Sequence, residues 1–228
     1  MKAVNEIIEG KITGFNERTN ELTIVAKYDD YMTMAKRDYN TVSIQLVDSR
    51  PISSKQRKSC YAMIREIADW SGDLPSEIKE YLKADFIATE SLEMMDSFSL
   101  SNAPMSVVAA FQKWLARFIV RNEVPCKKSL LSYVDDVQDY IYACLIHKKC
   151  CICGQNADLH HVDTVGMGRD RTEIIHEGMK VLPLCREHHQ EIHSKGTTEF
   201  LKLYHIDDGI PADKTICKIY HLKARKGE

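Results

Sequence analysis

The sequence predicts an α+β fold, with a small antiparallel sheet and helices in the N-terminal part and a cysteine- and histidine-rich module at the C-terminal end. Three observations predict it. Residues 1–48 have the pattern of strands, residues 53–147 carry apolar side chains at helical spacing, and all nine histidines lie beyond residue 146. Because the last predicted helix runs almost directly into clustered cysteines, we expect two close-coupled domains, 1–147 and 148–228.

The composition is that of an ordinary packed protein, with 44% hydrophobic and 28% charged residues. The net charge of −2 does not suit a bulk binder of polyanions, so any contact with nucleic acid must come from local basic patches. No apolar run approaches the roughly 20 residues of a membrane helix, and the N-terminus lacks the apolar core of a signal peptide. We therefore expect a cytoplasmic protein with reduced thiols and no membrane partner.

The first 48 residues predict three strands. The runs EIIEGKITGF and ELTIVA are separated by a polar turn at residues 16–20, which is typical of a hairpin. In the third run, TVSIQLVD, apolar and polar residues alternate as in a half-buried strand.

Four helices are predicted next. Ser53 or Ser54 caps the first, which extends to about Trp70 and ends at the Ser-Gly-Asp after it. Pro75 opens the second, which ends before a mixed segment at residues 89–103. The third covers about 105–121 and the fourth about 128–147, each with an apolar stripe at spacings of three and four.

Two pairs of residues have the spacing of a structural zinc site. Cys150 and Cys153 are separated by two residues and followed by Gly154, and Cys185 and His188 form a second pair of the same spacing. Together they supply the four ligands of a closed tetrahedral zinc. Cys151 could replace Cys150, but it would leave one residue before Cys153, which is less favourable.

A second group of histidines lies between and after these pairs. His189 and His193 are four residues apart on a predicted helix, so they face the same way. His160 and His161 are adjacent on a predicted strand and point to opposite faces, so only one can share a metal with the helical pair. The other is left free near the ion, as a general base must be. The alternative is a second structural zinc or surface histidines.

The pattern Cys-x2-Cys-Gly, His-His-Val and Leu-Cys-x2-His-His-x3-His resembles the HNH (ββα-metal) endonucleases with a zinc-bound frame. The resemblance implies that His160, His189 and His193 hold a catalytic divalent metal and that His161 is the general base. It implies Mg²⁺ or Mn²⁺ there, and imidazole ligands would also accept Ni²⁺ or Zn²⁺.

The chain departs from that pattern at one position. HNH proteins usually carry an asparagine that orients the base, and Lys180 stands there in this chain. Two alternatives are open for His176: it takes the orienting role, or it is a loop residue without a role in the site.

Several cations are candidate DNA contacts. Two lie in the glycine-rich segment after the histidine pair, Lys180 stands at the usual asparagine position, and four lie at the start of the first predicted helix, whose N-terminus itself favours phosphate. An ordinary polar loop and a solvated helix face are the alternatives. The candidates are Arg169, Arg171, Lys180, Arg50, Lys55, Arg57 and Lys58.

The N-terminal part resembles the phage NinB/Orf recombination mediators. The resemblance rests on Arg50-x5-Gln56-Arg57, the helix after it, Phe98-Ser99-Leu100-Ser101 and the long third helix. It implies binding of single-stranded or branched DNA, a homodimer, a single-strand-binding protein as partner, and a phage protein acting in a bacterial host.

We therefore expect a metal-dependent HNH DNA endonuclease acting in phage DNA recombination or processing. The chief alternative is a non-catalytic single-stranded-DNA-binding mediator with a zinc-stabilised vestigial HNH module, which the lysine at the asparagine position supports. A third interpretation is a zinc-ribbon adaptor with one zinc per chain.

Overall fold

A computed structural model describes residues 8–37, 41, 42, 44, 46, 48, 50–90, 97–163 and 174–225. The chain divides into two compact units, Met1–Leu46 and Val47–Glu228. The expected domain boundary at 147/148 stays a prediction. Of the helices in the described ranges, none combines the length and apolarity that a membrane crossing requires.

The first unit contains a β-hairpin and a short helix. Strands β1 (Gly10–Asn16) and β2 (Glu21–Ala26) pair antiparallel, which confirms the predicted hairpin, and α1 spans Tyr31–Arg37. The predicted third strand is wrong over its described residues, none of which lies in a strand. Its apolar members Val42, Ile44 and Leu46 are exposed. An alternating pattern forms a strand only where it finds a partner and a surface to cover.

Three helices of the second unit confirm the prediction. Helix α2 (Ser54–Ser71) begins at a capping box in which the Ser53 side chain and Gln56 bond reciprocally, and it ends at Gly72 in the left-handed region, with φ 81°. Helices α3 (Pro75–Thr89) and α4 (Met105–Arg121) come next. The apolar face of α2 packs against both.

The predicted fourth helix is wrong in its first half. A 3-10 turn at Leu130–Ser132 is followed by α5 over Val137–Ile146. The Asp136 side chain accepts the backbone N–H of Asp139 at 3.0 Å, and this cap starts the helix there. The apolar periodicity that suggested a longer helix instead places loop residues such as Val134 in the core.

The C-terminal part is a three-stranded sheet with helices. Strand β4 (Lys180–Leu184) pairs antiparallel with β3 (Asp158–His161) on one side and with β5 (Ile210–Pro211) on the other. Helix α6 (Arg186–Lys195) begins directly after β4, and α7 (Thr197–Leu203) and α8 (Lys214–Ile219) complete the chain's helices in the described ranges. Helix α5 packs against β4 and α8, so the buried core runs through the whole second unit.

Candidate metal centre

A tight turn brings Cys150 and Cys153 together. The N–H of Cys150 donates to the carbonyl oxygen of Gln155 at 2.7 Å, and the N–H of Gly154 donates to the carbonyl oxygen of Cys150 at 2.8 Å. Gly154 has φ +73°, a conformation that a residue with a Cβ rarely adopts. The glycine therefore lets the chain reverse within the two-residue spacing of the cysteines.

The first turn of α6 brings the second pair to the same place. Cys185 Sγ lies 3.6 Å from Cys153 Sγ, and His188 Nδ1 lies 3.1 Å from Cys185 Sγ and 3.7 Å from Cys150 Sγ. All four donor atoms lie within 4.8 Å of one another. Ideal Zn–S and Zn–N bond lengths in a tetrahedron place the donors about 3.5–3.8 Å apart. The four residues, named here the Cys₃His cluster, therefore fit a zinc ion.

Cys151 does not belong to this cluster. It is fully buried, its N–H donates to the carbonyl oxygen of Pro183, and its carbonyl oxygen accepts the hydroxyl of Tyr140 at 3.1 Å. Burial raises the pKa of its thiol well above the usual range. Of the two adjacent cysteines, Cys150 therefore belongs to the cluster and Cys151 to the core.

The thiols of the cluster differ in acidity. Burial raises the pKa of Cys153 to about 12 and raises that of Cys150. Burial also acts to raise the pKa of Cys185, but hydrogen bonds from His188 and from the other two thiols outweigh it and bring this pKa to about 7. Since zinc binds thiolates, its binding must release protons from the cluster.

Three histidines form a second group of donors. His160 lies on β3, 6% exposed, and its ring centroid is 4.7 Å from that of His189 and 5.1 Å from that of His193. The three donor atoms lie within 4.8 Å of one another. Burial and the neighbouring histidines lower the pKa of His160 to about 4, so its imidazole is neutral and offers a lone pair. We name these residues the three-His cluster.

His161 points to the other face of β3. Its Nε2 lies 2.8 Å from Nδ1 of His176, and burial and the proximity of His176 lower its pKa. The backbone N–H of His176 donates to the carbonyl oxygen of Lys223 at 2.8 Å, so the segment after α8 holds this histidine in place. The contact with Lys223 had no signal in the sequence.

The family model HNHc_6, described as "Putative HNHc nuclease", matches residues 29–223. The chain belongs to this HNH nuclease family. The match confirms the HNH resemblance, and the resemblance of the N-terminal part to NinB/Orf proteins stays a prediction. No curated protein and no solved structure matches the chain.

Lys180 begins β4, and both its backbone and its side chain have partners. Its backbone N–H donates to Asp163 Oδ2 at 2.7 Å, and its ammonium pairs with the Asp208 carboxylate. Neither aspartate belongs to a sequence pattern, so neither could be assigned a role from the sequence. Asp163 holds the start of β4 beside the end of β3, and Asp208 holds it beside the segment that precedes β5.

The other candidate DNA contacts fall into three sets. Arg169 and Arg171 lie outside the described residues. Arg50 pairs with Asp48 at 2.8 Å and Lys55 with Asp135 at 3.4 Å, whereas within the described ranges no ion pair involves Arg57 or Lys58. The neighbouring arginine holds the pKa of Asp48 far below its usual range. The role of these cations in DNA binding stays a prediction.

Cys150 and Cys151 are adjacent but have different environments, so their alanine variants can be compared as a test and its control. We expect Cys150→Ala to lose most of the bound zinc and to unfold at a clearly lower temperature, because one of four ligands is removed. Cys151→Ala should keep its zinc, since it deletes only a small buried group. Zinc content by elemental analysis and thermal unfolding check this. Equal zinc loss in both variants would contradict the assignment.

Proposed function

We propose that this protein is a metal-dependent HNH DNA endonuclease in which His160, His189 and His193 hold the catalytic ion and His161 is the general base. The observation that carries the proposal is the separation of the adjacent histidines. His160 lies with the pair on α6, whereas His161 lies against His176 at 2.8 Å. A base must stay off the ion to accept a proton, and this arrangement keeps it off.

The donor set indicates which ions fit. Three imidazole ligands suit borderline ions such as Zn²⁺ or Ni²⁺ better than Mg²⁺, which prefers oxygen ligands, although activity need not follow affinity. Mg²⁺, Mn²⁺ or another divalent ion remains our proposal for the reaction. When bound, the ion supplies stabilisation of the charge that develops on the phosphate and the leaving oxygen.

The contact with His176 supports one arrangement of the proton on His161. A neutral imidazole carries one N–H, and if Nε2 of His161 carries it, that N–H donates to Nδ1 of His176. Nδ1 of His161 then has a free lone pair and removes a proton from the attacking water. By accepting that N–H, the nitrogen of His176 selects this tautomer and orients the ring. His176 is thus a positioning residue that does the work of the usual asparagine.

The Cys₃His cluster is proposed to hold the frame of the site. Because His188 and His189 are neighbours on α6, an ion held by His188 fixes the rotation and height of the helix that presents His189 and His193. The hydroxyl of Tyr204 donates to Glu191 at 2.8 Å, and its ring packs at 5.8 Å from that of His188, which braces the same helix from α7.

The proposal also covers the form of DNA that is bound, the cellular process and the partners. The NinB/Orf resemblance supports binding of single-stranded or branched DNA by the N-terminal part, within phage DNA recombination or processing in a bacterial cytoplasm. It also supports a homodimer and a single-strand-binding protein as partners. Arg57 and Lys58, which form no ion pair with any described residue, support a DNA contact at the start of α2.

Lys180 favours a second candidate function, that of a non-catalytic DNA-binding mediator. A lysine whose ammonium is paired with Asp208 cannot orient a base as an asparagine does. The contact between His161 and His176 weighs against this candidate, because it supplies an orienting partner from another position.

The role of His161 predicts a loss of chemistry without a loss of fold. We expect His161→Ala to lower kcat for nicking by about 10²- to 10⁴-fold, the usual contribution of a general base. Exposed His147 provides the control, and His147→Ala should cut at the wild-type rate. Single-turnover cleavage of single-stranded, duplex, flap and four-way DNA with Mg²⁺ and Mn²⁺ is the measurement. Equal rates for wild type and His161→Ala would refute the role of His161, and cleavage of none of the substrates would favour the mediator.

The positioning role of His176 predicts a graded series. His176→Ala should reduce kcat by about 10- to 100-fold with KM nearly unchanged, as for other partners that orient an active group. His176→Asn should recover much of the rate, because its side-chain oxygen can accept the N–H of His161. A KM effect without a kcat effect, or equal losses in the two variants, would show that His176 only supports the loop.

A further inference from the structure

The exposed face of α2 carries an aromatic ring between two arginines. Tyr61 is 46% exposed, and Arg57 and Arg65 lie one helical turn before and after it. Side chains four residues apart on a helix are neighbours, about 5–6 Å apart at Cβ, so both guanidinium groups can flank the ring. Lys58 is exposed beside them.

These cations are available for a ligand. Within the described ranges, Arg57, Lys58 and Arg65 have no carboxylate in ion-pair distance, in contrast to Lys55 and Lys127, which pair with Asp135 and Asp69. The positive face ends at Arg65, because Asp69, one turn further along α2, neutralises Lys127.

A second exposed tyrosine on α3 provides the contrast. Tyr81 is 61% exposed, and its neighbours one turn before and after are Glu77 and Asp85. The tyrosine on α2 is therefore flanked by two positive charges, and the tyrosine on α3 by two negative charges. Only the ring on α2 has the surroundings that a polyanion with stacking bases requires.

We propose that this face of α2 binds single-stranded DNA, with a base stacked on Tyr61 and the backbone phosphates held by Arg57, Lys58 and Arg65. An unpaired base offers its ring face, whereas the bases of a duplex are stacked on each other, so the tyrosine selects the single strand. Arg57 to Arg65 spans about 12 Å along the helix axis, enough for phosphates on both sides of the stacked base. This inference deepens the proposed nuclease function by naming where the strand is held outside the metal site.

The test is binding of a fluorescein-labelled oligothymidylate, measured by anisotropy with the zinc-loaded protein and no added divalent ion. A denaturing gel confirms that the oligonucleotide stays intact. We expect Tyr61→Ala to weaken binding by about 5- to 100-fold. Tyr61→Phe should bind as wild type does, and so should the matched control Tyr81→Ala. Arg65→Gln should lower the slope of log affinity against log salt by about 0.7.

Three results would overturn the inference. They are no binding of oligothymidylate by the wild type, equal effects of Tyr61→Ala and Tyr81→Ala, and a loss of duplex binding as large as the loss of single-strand binding. Tighter binding of oligouridylate than of oligothymidylate would overturn the assignment to DNA. This assay measures binding and not cleavage. If Tyr61→Ala weakens binding, Tyr81→Ala does not, and the protein cuts no DNA, then only the nuclease proposal is refuted.

Discussion

Adjacent residues of a β-strand point to opposite faces, and this constraint divides the candidate site in two. On β3, His160 turns toward α6 and His161 turns toward His176. Pairing with β4 sets the register, with His160 opposite Leu182 and His161 opposite Val181. A slip of one residue would exchange the two histidines, so the chemistry depends on the hydrogen bonds and buried side chains that hold β4 in the core.

Helix α6 serves both donor clusters. His188 lies with the cysteines, and His189 and His193 lie with His160, so three ligand positions depend on one ten-residue helix. Buried Ile192 fixes the inner side of the helix against the core. A short polar helix is marginal by itself, and its position must come from packing and from what the clusters bind. The frame and the site are therefore coupled, since a displacement of the first turn moves His189 away from His160.

The three-His cluster and His176 are held from different parts of the chain. The α6 histidines approach from one side of β3. The segment after α8 holds His176 through the backbone of Lys223 and through Glu177, which accepts the N–H of Arg225. The proposed metal ligands and the proposed base consequently depend on separate contacts. A change in the C-terminal segment should disturb the base while leaving the metal ligands in place.

Local signals made much of this structure predictable. Ser53, Gly72 and Pro75 mark helix ends by their own conformational preferences, and the spacings of cysteine and histidine reflect the geometry of a tight turn and of a helix. The predicted fourth helix extends too far because apolar periodicity does not distinguish a helix from a buried loop, and Asp136 decides the start. The pairing of Lys180 with Asp208 and the support of His176 by Lys223 join residues distant in sequence. No pattern in a single sequence records such contacts.

The proposed chemistry depends on two separate metal sites, with His161 a ligand of neither. Crystals grown with zinc and then soaked in Mn²⁺, with anomalous scattering measured at the edges of both metals, test this most directly. We expect a zinc peak among Cys150, Cys153, Cys185 and His188, and a second peak within bonding distance of His160, His189 and His193 but not of His161. A single metal peak, or an ion bound to His161, would contradict the account.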